Sequence, residues 1–144
     1  MAAFNKFNQF VEDLAKKVHN LGVGADTLKV MLVNSPAPVA TNSIKANLTE
    51  IAAGSGYTAG GAALTISASA QTGGTYKLTI NDVTITAAGG NIGPFQYVVL
   101  YNDTPTSPAD PLIGWYDYGT PITITNGNSF TVDFDGANGV LTIG

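Results

Sequence analysis

The chain has 144 residues, six lysines, no arginine and ten carboxylates, for a net charge of −4. One domain of that length buries about two-thirds of its unfolded surface and needs no covalent staple, and there is no cysteine to supply one. Without a basic stripe, neither nucleic acid nor an anionic membrane surface is an expected partner, and no apolar run approaches the ~20 residues of a membrane-spanning helix.

Residues 4–21 carry the one helical period. Phe4, Phe7, Val11, Leu14, Val18 and Leu21 recur at three- and four-residue steps, with Phe10 beside them. Glu12 with Lys16 and Asp13 with Lys17 are i,i+4 pairs in the favourable order. Lys16, Lys17 and His19 suit the last turn, with Gly22 as the stop. His19 is expected to face solvent there. The first twenty residues contain no continuous apolar stretch of the kind a signal peptide needs. The phenylalanine-rich front of the helix either closes the bottom of its own fold or reaches onto a neighbouring chain, so Phe4, Phe7 and Phe10 are candidate protein contacts.

From residue 27 on, the pattern is that of short strands. Thr27 to Val33 is the first, ended by Pro36 and Pro38. The pattern then weakens to residue 53, with Leu48 to Ile51 as a short strand or a turn of helix. Glycine pairs at 60–61, 73–74 and 89–90 separate runs of β-formers. Leu64 to Ala70, Tyr76 to Ile80 and Val83 to Ala87 alternate with period two, the mark of antiparallel strands. Phe95, Tyr97, Val99 and Tyr101 line one face of the next strand, and Val98 and Leu100 make its other face apolar too. A strand apolar on both faces belongs at the centre of a packed structure.

Asn102 to Pro111 holds three prolines and reads as an ordered surface excursion, with Asn102, Asp103, Pro105 and Pro108 as candidate contacts. The chain returns to the core through Leu112, Ile113, Trp115, Tyr116 and Tyr118. Ile122 to Ile124, Ser129 to Phe134 and Val140 to Ile143 follow, with Asn126-Gly127 and Asn138-Gly139 as hairpin signals. The expectation is a single domain over 1–144, mainly β: a jelly-roll-like antiparallel β-sandwich over 27–143 behind one N-terminal amphipathic helix over 4–21. Connections such as 34–47 and 102–111 are too long for tight hairpins and suit a Greek key.

Chemistry-bearing residues are few. His19 is the one base of the right pKa and there is no cysteine, so no catalytic residue is assigned. Gly54 to Ala59 matches a G-x-G-x-x-A fingerprint, but Gly60-Gly61 follows where a helix must begin, so no cofactor is expected. Asp133, Asp135 and Asn138 are weak calcium candidates, lacking a downstream glutamate to complete the set. Asp103, Asp110 and Asp117 supply carboxylates for glycoside hydrolysis with nothing to fix their separation. Trp115, Tyr116 and Tyr118 are candidates for a sugar-stacking platform, although alternation puts Trp115 and Tyr116 on opposite faces.

Four stretches carry a family resemblance: FNKFNQFVEDLAKKVHNLG, TLKVMLVNSPAPVATN, LTEIAAGSGYTAGG, and GPFQYVVLYNDTPTSPADPLIGWYDYG with its FTVDFDGANGVLTIG tail. In these the chain resembles the small cement, or decoration, proteins on the heads of tailed bacteriophages. The resemblance implies a non-enzymatic virion protein, made in the host cytoplasm and held on the outer surface of the capsid. Its partners would be the major capsid protein and further copies of itself, as a dimer or trimer on the shell's symmetry axes. The rival readings are a carbohydrate-binding module and a tail or fibre structural protein.

Overall fold

The computed structural model describes residues 2–144. It is mainly β, with antiparallel sheets and one short helix. The largest sheet has five strands in the order β1 (Phe4–Lys6), β8 (Leu112–Ile124), β7 (Ile92–Asn102), β2 (Leu28–Val33) and β3 (Ala62–Ala63). A second sheet runs β10 (Leu141–Ile143), β5 (Thr75–Ile80), β4 (Ile66–Thr72), and β6 (Val83–Thr86) pairs with β9 (Ser129–Val132).

The central strands are apolar on both faces because the large sheet carries a core on each side. Leu28, Val30 and Leu32 of β2 and Val98 and Leu100 of β7 join the main core with Ile66, Leu78, Ile80, Ile85 and Val132 of the smaller sheets. Met31, Val33, Val99, Tyr101 and Leu112 face the other way, into a second core with Phe7, Trp115 and Leu48. Residues 34–50 cross that far face as a strap. It is tied by Asn8 N to Ala40 O (2.9 Å), Leu112 N to Ser43 O (3.0 Å) and Lys45 N to Asp110 O (2.9 Å). Its one helical turn among the described residues is the 3₁₀ segment Lys45–Asn47, and Glu50 makes an isolated bridge to Val33 where a short strand or a turn of helix was expected.

The N-terminal expectation is corrected most. Residues 4–6 are a strand, with Phe4 opposite Tyr116, and the helix α1 spans only Asn8–Ala15. It ends where Lys17 turns left-handed (φ 63°), with Val18 N bonding Asp13 O and Lys17 N bonding Leu14 O. That is the Schellman arrangement, placed at a lysine well before Gly22. Phe7 and Phe10 are buried, Phe7 in the second core and Phe10 in the main one, so neither offers an outward contact. Phe4 is half-buried, its ring resting over Gly114, where any Cβ would lie 2.2 Å from it.

Phe95 sits in the main core rather than beside Tyr97 and Val99, because the β7–β8 register shifts between Phe95 and Tyr97. Pairing jumps there from Ile122 to Asp117 around Gly119 (φ 83°), and β8 keeps Tyr116, Tyr118, Ile122 and Ile124 on the main-core side, so the alternation breaks in β7. Neither Asn-Gly signal makes a two-strand hairpin: β9 pairs with β6 and β10 with β5, so both turns pass the chain between sheets. The tight hairpin is instead Gly73-Gly74, with φ of 59° and 87° between paired Thr72 and Thr75.

Candidate functional site

The 102–111 excursion joins β7 to β8, which are direct antiparallel neighbours, so it is a long hairpin tip and not a crossover between sheets. It closes at its foot through Asn102 N to Pro111 O (3.0 Å) and folds back on itself through a Thr106–Ala109 bridge. Both flanks are anchored. Asp103 N donates to Thr27 O (2.9 Å), Thr27 N to Thr104 Oγ1 (2.8 Å), and Lys29 Nζ pairs with Asp103 Oδ2 at 2.9 Å. On the other side Lys45 holds Asp110 O through its backbone, and its Nζ lies 5.4 Å from the Tyr101 ring centroid. Asp103, Thr104, Thr106, Ser107 and Ala109 are exposed, and Pro105, Pro108 and Asp110 half-buried. With each foot tied and its prolines fixing φ, the tip projects as a preorganised surface.

Asn102, a candidate contact in the sequence, is fully buried at the root of this tip. Its Nδ2 donates to Asp26 Oδ2 (2.7 Å) and lies 3.1 Å from His19 Nδ1, and its Oδ1 accepts from Thr104 N (3.1 Å). It is a strut from the tip to residues 19–26. His19 is only 6% exposed, against the solvent-facing position expected, because the early end of α1 folds it inward beside Phe10, with ring centroids 5.2 Å apart. Burial lowers its pKa, and the nearby carboxylates of Asp13 and Asp26 oppose that shift.

A histidine whose folded pKa lies below the unfolded value contributes stability above the unfolded pKa, and that contribution is lost as pH falls. Urea unfolding is expected to show stability declining as pH drops below ~6.5, with a slope for one proton of at most about 1.4 kcal/mol per pH unit. His19→Gln flattens that profile between neutrality and the carboxylate range. A profile unchanged by the substitution would contradict the assignment.

The other candidates are dispersed. Asp135 caps its own turn: Oδ1 accepts from Ala137 N (3.0 Å) and Asn138 N (2.8 Å), and Oδ2 from Asn138 Nδ2 (2.9 Å). Those bonds hold its carboxyl below the usual range, and Asp133 is exposed two residues away. Asp117 pairs with Tyr97, six residues before Asp103, so roughly 20 Å of strand separates it from Asp103 and Asp110. Trp115 is half-buried against Phe7 (ring centroids 4.6 Å apart), Tyr116 is buried in the main core, and Tyr118 packs on Phe130. The three aromatics share no exposed plane.

Gly54 to Ala59 forms a tight turn closed by Gly54 and Tyr57. Tyr57 is the residue there that sequence reasoning missed. Its hydroxyl accepts from Leu32 N (2.9 Å) and donates to Glu50 Oε1 (2.6 Å), which also accepts from Gly60 N (2.7 Å). Burial and Glu50 push the phenol well above its usual range, so it remains a neutral donor. A shallow cavity of about 310 Å³ beside this network is lined by Met31, Lys45, Ala46, Leu48, Glu50 and Asp110. Neither protein-family models, curated proteins nor solved structures yield a match to this chain.

Proposed function

We propose that this chain is a structural virion protein that binds the outside of an assembled phage capsid and cements neighbouring major capsid subunits. In this reading its two-core β-structure serves as a jelly-roll-like cement module. The observation that carries the reading is the proline-rich tip, exposed at its end and braced on both flanks. A stiff projection suits contact with a rigid protein lattice, because little entropy is lost on docking. Weak contacts repeated over a closed shell become long-lived through avidity, and binding restricted to the assembled state stabilises that state.

The contact residues are then Asp103, Pro105 and Pro108 with the intervening tip, and the buried Phe7, Phe10 and Asn102 support it from within. Replacing Thr106–Ala109 by two glycines leaves the foot of the hairpin closed. The variant is expected to keep the parent's thermal unfolding temperature to within a few degrees and to lose sedimentation with emptied shells of the cognate phage. A correctly folded variant that still decorates those shells at parental occupancy would remove the tip from this role.

A further inference from the structure

We propose that the free edge of β4 is a self-association surface, on which a second copy of this chain adds its own β4 antiparallel across a two-fold axis. An edge strand exposes unpaired main-chain groups, and proteins guard such edges by shortness, charge, proline or cover. Among the described residues, the other sheet edges are short: β1 and β10 have three residues, β3 two, and β6 and β9 four. β4 has seven, ISASAQT, without a charge or a proline. Its one irregularity lies at the Ile66/Ala68 end. Residues 23–27 line a cavity with Leu64–Ile66, and Leu14, Leu21 and Gly22 line another with the half-buried Ser69 side chain. Ser67, Ala68, Ala70, Gln71 and Thr72 are exposed, and the main chain of 67–72 bonds to no element but β5.

The turn fixes which groups point outward. Residues flanking a two-residue hairpin form a hydrogen-bonded pair, and such pairs alternate along the ladder. Thr72–Thr75 and Ala70–Lys77 therefore exchange bonds with β5, and the N–H and C=O of Ser69 and Gln71 face away from it. With the two-fold axis through Ala70, Ser69 of one copy meets Gln71 of the other, and the reverse, making about four main-chain bonds. The product is one continuous sheet of two β10-β5-β4 units. A second copy fits better than a charged segment because the strand has no charge to complement. The nearest ions, the two Lys77 side chains, would stand three strand spacings apart, ~14 Å, each already held toward Ala137 O. The contact is well below the ~800 Å² per partner of a standard interface, so the dimer forms at high concentration.

Ala70 of one copy faces Ala70 of the other as a non-hydrogen-bonded pair, with Cα atoms about 4.5 Å apart, within disulfide range. The chain has no cysteine, so Ala70→Cys is expected to give a covalent dimer on mild oxidation, and Ala88→Cys in an exposed loop only background. In sedimentation equilibrium over a concentration series, Ala70→Lys and Gln71→Pro should each raise the dimer dissociation constant at least about tenfold. Gln71→Pro removes an outward N–H without touching the β5 ladder, and circular dichroism checks that it folds. Cross-linking of Ala70→Cys no faster than Ala88→Cys would overturn the proposal. So would a dimer indifferent to both edge variants, or exchange protection at Ser69 and Gln71 that arises only when shell protein is added. None of these readouts depends on capsid binding by the tip.

Discussion

Phe7→Ala is expected to lower the unfolding free energy by about 3–5 kcal/mol, measured by urea titration. The side chain is fully buried on the far face of the five-stranded sheet, against Trp115 and among Met31, Val33, Val99, Tyr101 and Leu112. Truncation leaves a hole that the sheet cannot close, because strands on either side of it are held by the main core. Only the strap covers that region, and it also holds Asp110 at the base of the tip. Loss of shell binding should therefore accompany the loss of stability. Val11→Ala on the exposed face of α1 should cost under about 0.5 kcal/mol. A near-neutral Phe7→Ala would mean that the N-terminal aromatics face outward and that the second core does not exist as described.

Gly61→Ala is expected to be as damaging, at roughly 3 kcal/mol or more, for a different reason. Gly61 has φ +84°, and a Cβ there would stand 1.8 Å from Val30 O and 2.9 Å from Met31 Cα. Both obstacles are backbone of a central strand, so β3 must lift away. That lift would break the bond from Tyr101 hydroxyl to Gly60 O (2.6 Å) and the one from Gly60 N to Glu50. Gly73→Ala is the control: its φ is +59° but nothing lies within 4 Å of the added carbon. It should cost only the left-handed penalty of about 1–2 kcal/mol. Equal effects at the two glycines would show that crowding at Val30 is absent.

The strand content was legible because alternation and glycine punctuation are local signals, and the doubly apolar centre was legible because both of its cores left their residues in sequence. The N-terminus was not. Phe4, Phe7 and Phe10 keep helical spacing, yet Phe4 and Phe10 serve the main core and Phe7 the core on the opposite face. Pairing of residues 4–6 with β8 overrode the helical period, and nothing local marks Lys17 as the left-handed stop. Phe95 departs from the expected face because the break in β7 alternation between Phe95 and Tyr97, where the pairing with β8 shifts, has no mark in the local sequence. The two Asn-Gly pairs do turn the chain, but turn chemistry carries no information about which strand lies beyond. Within the candidate site the exposed tip was readable from its prolines. The buried Asn102 and Tyr57 were not, since their partners lie on distant segments.

The measurement that bears most directly on the capsid reading is co-sedimentation of the purified chain with closed, emptied shells of the cognate phage, run beside the same capsid protein as unassembled subunits. The account predicts saturable binding to the shells at a fixed ratio per capsid subunit, with none to free subunits. Failure to bind shells, or equal binding to subunits, would contradict it.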